Sequence, residues 1–120
     1  MPRNDDLTIS DQTVLLRAVY KNQIVKISEY EERPQSQAFR WDDEQEVSAF
    51  IQEETNLELL VAAFPNSRIC CFTAGQARSL GYRVSRAPTE EFQSHVVMCH
   101  GQYRPRTAEK QLALLARLIT

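Results

Sequence analysis

The apolar residues of this chain occur in short runs separated by polar turns, and this pattern limits the fold more than any other feature. The runs cover residues 14–20, 24–27, 39–41, 47–51, 69–72, 82–84 and 94–100. Because they are short and rich in β-branched and aromatic residues, they predict strands rather than helices. The sequence therefore indicates a sheet of several strands at the centre of the fold.

Three helices are predicted around this sheet. Thr55 and Glu58 match a capping box, which predicts the start of a helix. Thr73 is placed to cap a second helix over residues 74–80. Residues 107–118 carry leucines at helical spacing and predict a terminal helix. The expected class is α+β, with a mixed, mainly antiparallel sheet, two short helices and a C-terminal amphipathic helix.

Length and composition suit one domain. We expect residues 1–11 to form a polar N-terminal arm and residues 12–120 a single globular domain. An apolar content of 42% can support a core without disulfides or metal. No apolar run approaches the roughly 20 residues that span a bilayer, and the first residues do not resemble a secretory signal. A cytoplasmic protein without a membrane partner is therefore expected.

The net charge of −2 hides an uneven distribution along the chain. Residues 1–60 hold 6 basic and 13 acidic side chains, whereas residues 61–120 hold 8 basic and 3 acidic ones. If the two halves are separate in space, this asymmetry favours a charged partner or a head-to-tail homo-oligomer; if they interleave, the fields cancel. Nucleic acid is not an expected partner, since the strong basic excess is missing; an RNA-binding alternative rests on Tyr103, Arg104 and Arg106.

The three cysteines, Cys70, Cys71 and Cys99, have no disulfide-framework spacing and are expected to be buried, reduced thiols. Cys70 and Cys71 are adjacent, so on a strand they point to opposite faces. The cysteines and histidines match no metal-ligand spacing, and no metal is expected. No cofactor is expected either.

Residues 33–41 have the composition of a recognition loop. The segment combines an X-Pro step, a hydroxyl, amides, aromatic rings and guanidinium groups. Its predicted contacts to a ligand or partner come from Arg33, Ser36, Phe39 and Trp41.

Arg17 interrupts an otherwise apolar strand, where a buried guanidinium needs an anion or a carbonyl as partner. It would clamp a phosphate or carboxylate of a ligand. The alternative is a structural ion pair with an acid such as Glu29 or Glu46, or exposure at a sheet edge.

Ser48 and His95 complete the set of predicted ligand- or partner-binding residues. A nucleophilic serine needs a base within hydrogen-bond reach, and the chain offers only His95 and His100, on opposite faces of a strand. His95 would meet Arg17 and Ser36 across the sheet as a base or ribose-binding donor. The alternatives are a histidine satisfied at the sheet edge and serines that only bond to nearby backbone.

Several segments together resemble a group of small uncharacterised bacterial proteins. They are the strand that carries Arg17, the R-P-x-S-x-A-F segment at residues 33–39, V-S at 47–48, F-T-A-x-x-A-R-x-L-G at 72–81 and S-H-V-V at 94–97. These segments span most of the chain. The resemblance implies a bacterial, cytoplasmic protein and no particular activity.

A looser resemblance is to compact NAD-using folds of the ADP-ribosyltransferase kind, including RES-type toxins. It implies that Arg17 is the strand arginine that holds a phosphate and that Ser36 or Ser48 is the serine. The sequence departs from those enzymes because their glutamate has no motif-matched position. The candidates for that glutamate are Glu53, Glu54 and Glu58.

Two functions follow. The first is a binding or accessory module that recognises a protein partner or small anionic ligand through Arg17, residues 33–41 and His95. The alternative is an NAD- or nucleotide-processing enzyme, a toxin or defence protein, with NAD as its cofactor or substrate.

Overall fold

The computed structural model describes residues 4–42 and 45–120 and confirms the α+β class. Its six-stranded sheet has the order β6-β7-β4-β1-β5-β8, and β2 and β3 form a separate hairpin. The strands are β1 (Val14–Tyr20), β2 (Ile24–Ser28), β3 (Glu31–Pro34), β4 (Val47–Ile51), β5 (Ser67–Thr73), β6 (Tyr82–Arg86), β7 (His95–His100) and β8 (Arg117–Leu118); the helices are α1 (Leu57–Ala63), α2 (Ala74–Ser79) and α3 (Arg106–Leu115). Every strand pair in the described part of the chain is antiparallel.

The two faces of the large sheet are buried against different elements. The first face carries Leu15, Val19 and Phe72 and packs against α3, α2 and the 3-10 helix Ser36–Phe39. The second face carries Leu16 and packs against Leu60 of α1. Strand alternation produces this division, since neighbouring residues point to opposite sides. Cys70 accordingly lies in the first cluster and Cys71 against the second, as the sequence predicted.

Several helix boundaries differ from the prediction by one to three residues. Asn56, not Thr55, caps α1, because its side chain accepts from the Leu59 amide. Thr55 is held elsewhere, since its hydroxyl donates to the carbonyl of Ile51 and lies 2.6 Å from Ser94 Oγ. The terminal helix ends at Leu115 rather than at residue 118.

The chain leaves the helix early because its last residues join the sheet. Leu118 pairs with Cys70 and Arg117 with Cys71, so β8 forms an edge strand. Of the predicted leucine stripe, Leu112 is fully buried, whereas Leu115 is 41% exposed.

Residues 39–41 were expected to be a strand, and this is wrong. Phe39 ends the 3-10 helix, and the strand lies earlier, at β3. The carbonyl of Ala38 accepts from the side chain of Arg17 instead of from a neighbouring strand. The segment therefore packs under the sheet as a short helix.

The N-terminal residues run along the free edge of β6. The Val84 amide donates to Asp5, and the Asp6 amide donates to the Val84 carbonyl, so the arm satisfies backbone groups that an edge strand leaves open. Arg78 of α2 anchors the arm with ion pairs to Asp5 and Asp11 at 3.0 and 2.8 Å. No helix in residues 4–42 and 45–120 combines the length and apolar character of a membrane span.

Candidate functional site

Arg17 lies at the junction of β1, β4 and the 3-10 helix. Its Nε donates to the carbonyl of Ala38 at 2.7 Å, and its Nη1 donates to the carbonyl of Ser48 at 2.6 Å. The backbone pairing of β1 with β4 ends at Leu16 and Phe50. Beyond that point the Ser48 carbonyl of β4 accepts from the side chain of Arg17. The two carbonyls are thus the partners that the guanidinium of the half-buried Arg17 requires.

The surroundings of Arg17 are apolar. The guanidinium carbon lies 5.9 Å from the centre of the Phe39 ring. Burial lowers the pKa of Arg17 from its ordinary value. Cys70 lies opposite Arg17 on β5. Burial raises the pKa of its thiol to about 12, although the positive charge of Arg17 lowers that pKa. Cys70 is therefore a neutral, unreactive thiol at neutral pH.

Ser48 and His95 form a hydrogen-bonded pair on the second face of the sheet. Phe50 of β4 is opposite His95 of β7, and Ser48 is opposite Val97, so the two side chains are diagonal neighbours. His95 Nε2 lies 3.0 Å from Ser48 Oγ, and His95 Nδ1 lies 2.6 Å from the carbonyl oxygen of Ala87. Both residues are half-buried. The sequence analysis named His95 as a possible base for a serine, and the structure brings His95 and Ser48 together.

His95 does not meet Arg17 and Ser36 as expected, because Arg17 and the Ser36–Phe39 helix lie on the first face of the sheet and His95 lies on the second. Arg17 and His95 are connected through Ser48, which lies between them. Arg17 holds the carbonyl of Ser48 from the first face, and His95 contacts the hydroxyl of the same residue on the second face. The expected acidic partners of Arg17, Glu29 and Glu46, form no ion pair with it within the described ranges.

The predicted residues of the 33–41 segment separate into two groups. Phe39 is fully buried and packs edge-to-face on Phe72, so it belongs to the core. Trp41 is half-buried and contacts Tyr103, with ring centres 5.4 Å apart. Arg33 and Ser36 instead line a groove at the surface.

This groove, called the Arg33 groove below, runs between β3 and α3 and has a volume of about 430 Å³. Its lining residues are Val25, Arg33, Pro34, Gln35, Ser36, Lys110, Ala113 and Leu114. Neither Arg33 nor Lys110 makes an ion pair with a carboxylate in the part of the chain that the structure describes. The groove thus combines two cations, a hydroxyl and an amide with an apolar wall.

A second, much smaller cavity lies under Trp41, between Tyr82 and Pro105. The Tyr82 hydroxyl is buried and has no hydrogen-bond partner among the described residues. Burial and the nearby Glu109 raise the pKa of that hydroxyl. Burial also raises the pKa of Glu109, although Arg40 and other cations act against it.

Sequence reasoning missed Lys110 as a partner of Arg33. Nothing local in the sequence connects Lys110 to Arg33, because Lys110 belongs to α3 and Arg33 to β3. The only available signal was the amphipathic period of α3. Lys110 follows the buried Glu109 and stands two residues before the buried Leu112, so it lies at the rim of the buried helix face.

Residues 4–42 and 45–120 contain no group of three or more His, Cys, Asp or Glu side chains placed to hold a metal ion. No family model, curated protein or solved structure matches this chain.

Proposed function

We propose that this protein is a binding module for a small anionic ligand, which it takes up in the Arg33 groove. The observation that carries the proposal is that Arg33 and Lys110 line the same groove. Neither cation forms an ion pair with a carboxylate among the residues that the structure describes. The volume of about 430 Å³ lies within the roughly 300–1,000 Å³ typical of small-molecule sites.

The chemistry of the lining supports a ligand with a phosphate or carboxylate at one end and an apolar body. A guanidinium binds such an anion through two parallel hydrogen bonds, and an ammonium adds a point charge. Ser36 and Gln35 supply neutral donors beside the cations, and Val25 and Leu114 supply apolar surface for the rest of the molecule.

Arg17 and Phe39 support this groove from below. Arg17 ties the carbonyl of Ala38 to the sheet, and Phe39 anchors the same helix in the core. Because Ser36 begins that 3-10 helix, the two residues fix where its hydroxyl stands. Their role in recognition is thus to position the groove rather than to contact the ligand.

The test is a thermal-shift and calorimetric titration with inorganic phosphate, AMP and NAD. A ligand at 100 times its Kd adds about 2.7 kcal/mol to the free energy of unfolding. For a domain of this size, that corresponds to a Tm rise on the order of 10 °C. Arg33→Ala and Lys110→Ala should each weaken binding about tenfold or more, because each removes a charge-assisted contact.

The matched control is Arg104→Ala, which removes an exposed cation outside the groove and should leave affinity unchanged. Equal affinity in wild type and both groove variants would contradict the proposal. Consumption of NAD during the titration would instead favour the ADP-ribosyltransferase alternative, and a flat response to all three probes would favour a protein partner.

A further inference from the structure

We infer that Ser48 and His95 form a nucleophile–base pair able to accept an acyl group from an ester. This inference is independent of the Arg33 groove, because the pair belongs to the second face of the sheet and the groove lies beside α3. It rests on three features of the pair: the orientation of the imidazole, the rigidity of the serine and the access from solvent.

The hydrogen bond to Ala87 sets the orientation of the imidazole. A carbonyl oxygen can only accept, so Nδ1, at 2.6 Å from it, carries the proton. In the neutral ring, Nε2 then has a free lone pair, and this atom faces Ser48 Oγ at 3.0 Å. The hydroxyl of Ser48 therefore donates to His95, as a nucleophile does to its base.

Packing holds both members in place. The imidazole packs against Phe50, with ring centres 5.3 Å apart, and Phe50 packs against Phe92 at 5.1 Å. Ser48 is fixed through its backbone, because Arg17 donates to its carbonyl from the other face. A base that is itself oriented by a third group is the arrangement on which serine nucleophiles depend.

Solvent reaches the pair, since Ser48 and His95 are each only half-buried. Ala18 of β1 lies on the same face and is also partly exposed. Ala18 and Phe50 thus make the face of the sheet beside the pair apolar, which favours an ester with an apolar acyl group over a charged one.

The reaction balances with water as the only co-reactant. Ser48 Oγ forms a bond to the acyl carbon and its proton moves to His95 Nε2. The C–O bond of the ester breaks, and the leaving alcohol takes that proton. Water then gives a proton to Nε2 and its oxygen bonds to the acyl carbon, after which the Oγ–carbon bond breaks and Oγ recovers the proton.

The test is labelling of the full chain with an alkyl fluorophosphonate, in which Oγ bonds to phosphorus as fluoride leaves. Intact mass should show one adduct, and peptide mapping should place it on Ser48 and not on the exposed Ser36. Ser48→Ala should abolish the adduct. His95→Gln should slow labelling about 100-fold or more, the usual contribution of a general base.

Circular dichroism of each variant separates lost reactivity from lost folding, and Ser48→Ala removes only one oxygen from a half-buried position. Hydrolysis of p-nitrophenyl acetate provides a second readout, in which both variants should lose the protein-dependent rate. The inference is overturned if wild type gives no Ser48 adduct, if the label spreads over several hydroxyls, or if folded His95→Gln labels as fast as wild type.

Discussion

At the level of single residues, Arg17 connects the apolar strand β1 to its neighbours through side-chain hydrogen bonds. Its two hydrogen bonds reach carbonyls 21 and 31 residues away, and they join β1 to the 3-10 helix and to β4. Burial disfavours the charged form of Arg17 and lowers its pKa. The hydrogen bonds to the carbonyls of Ala38 and Ser48 offset this cost of burying the charge. Arg17 is therefore a structural residue on which both proposed sites depend.

Arg17→Met tests this role. Methionine fills similar space but leaves the carbonyls of Ala38 and Ser48 without their charged donor. The free energy of unfolding, measured in urea, should fall by about 3 kcal/mol or more, since the two hydrogen bonds to the charged group contribute about 1.5–3 kcal/mol each. Arg40→Met, at an exposed position, is the control. A loss within 0.5 kcal/mol of that control, the usual range of surface substitutions, would show that the two bonds contribute little.

At the level of elements, the turn between α2 and β6 depends on a glycine. Gly81 has φ +98°, a conformation that side chains rarely adopt. A Cβ at this position would also lie 2.6 Å from Nε2 of His100, which contacts the carbonyl of Leu80 at 2.8 Å. Both the backbone and the neighbouring histidine therefore require glycine here.

Gly81→Ala should destabilise the protein by at least about 1–2 kcal/mol, from the left-handed backbone alone. The chain offers a matched control in Gly101→Ala, where an added Cβ would meet nothing within 4 Å. Thermal unfolding of the two variants gives the comparison. Equal Tm values would mean that the turn relaxes without penalty.

Elements whose signals are local were predictable from the sequence. The strand at residues 47–51 and the Thr73 cap of α2 follow from alternation and from a capping box with Gln76. The edge strand β8 was not predictable, because two residues carry no period and its pairing partner Cys70 is distant in the sequence. The Arg33 groove was missed for the same reason, since its two cations come from β3 and α3. Residue types in the 33–41 segment were informative, but they could not show that Phe39 is buried while Ser36 is exposed.

At the level of the whole molecule, the uneven charge along the sequence does not persist in space. Every ion pair among the described residues joins an acid of the first half to an arginine of the second. The pairs are Arg68–Glu32, Arg78–Asp5, Arg78–Asp11, Arg86–Asp6 and Arg86–Glu54. The halves interleave, and the asymmetry gives no support to a head-to-tail assembly.

Glu109 carries a pH dependence of the whole fold. It is 6% exposed, and burial raises its pKa above the ordinary 4.5. The folded state therefore holds this proton more tightly than the unfolded chain, so the stabilisation is complete below the ordinary pKa and is lost as pH rises through the folded value. Glu109→Gln should make the protein more stable than wild type at pH 7, with the difference shrinking towards pH 4. Urea unfolding across this range measures it, with the exposed Glu90→Gln as control; a less stable Gln variant at pH 7 would contradict the burial argument.

The binding role of the Arg33 groove is the central claim, and an NMR titration locates binding most directly. Amide shifts of the ¹⁵N-labelled protein would be followed as AMP is added, in wild type and in Arg33→Ala. We predict shifts concentrated in residues 33–36 and 110–114, which disappear in the variant. Shifts that cluster elsewhere, or that persist in Arg33→Ala, would contradict the account.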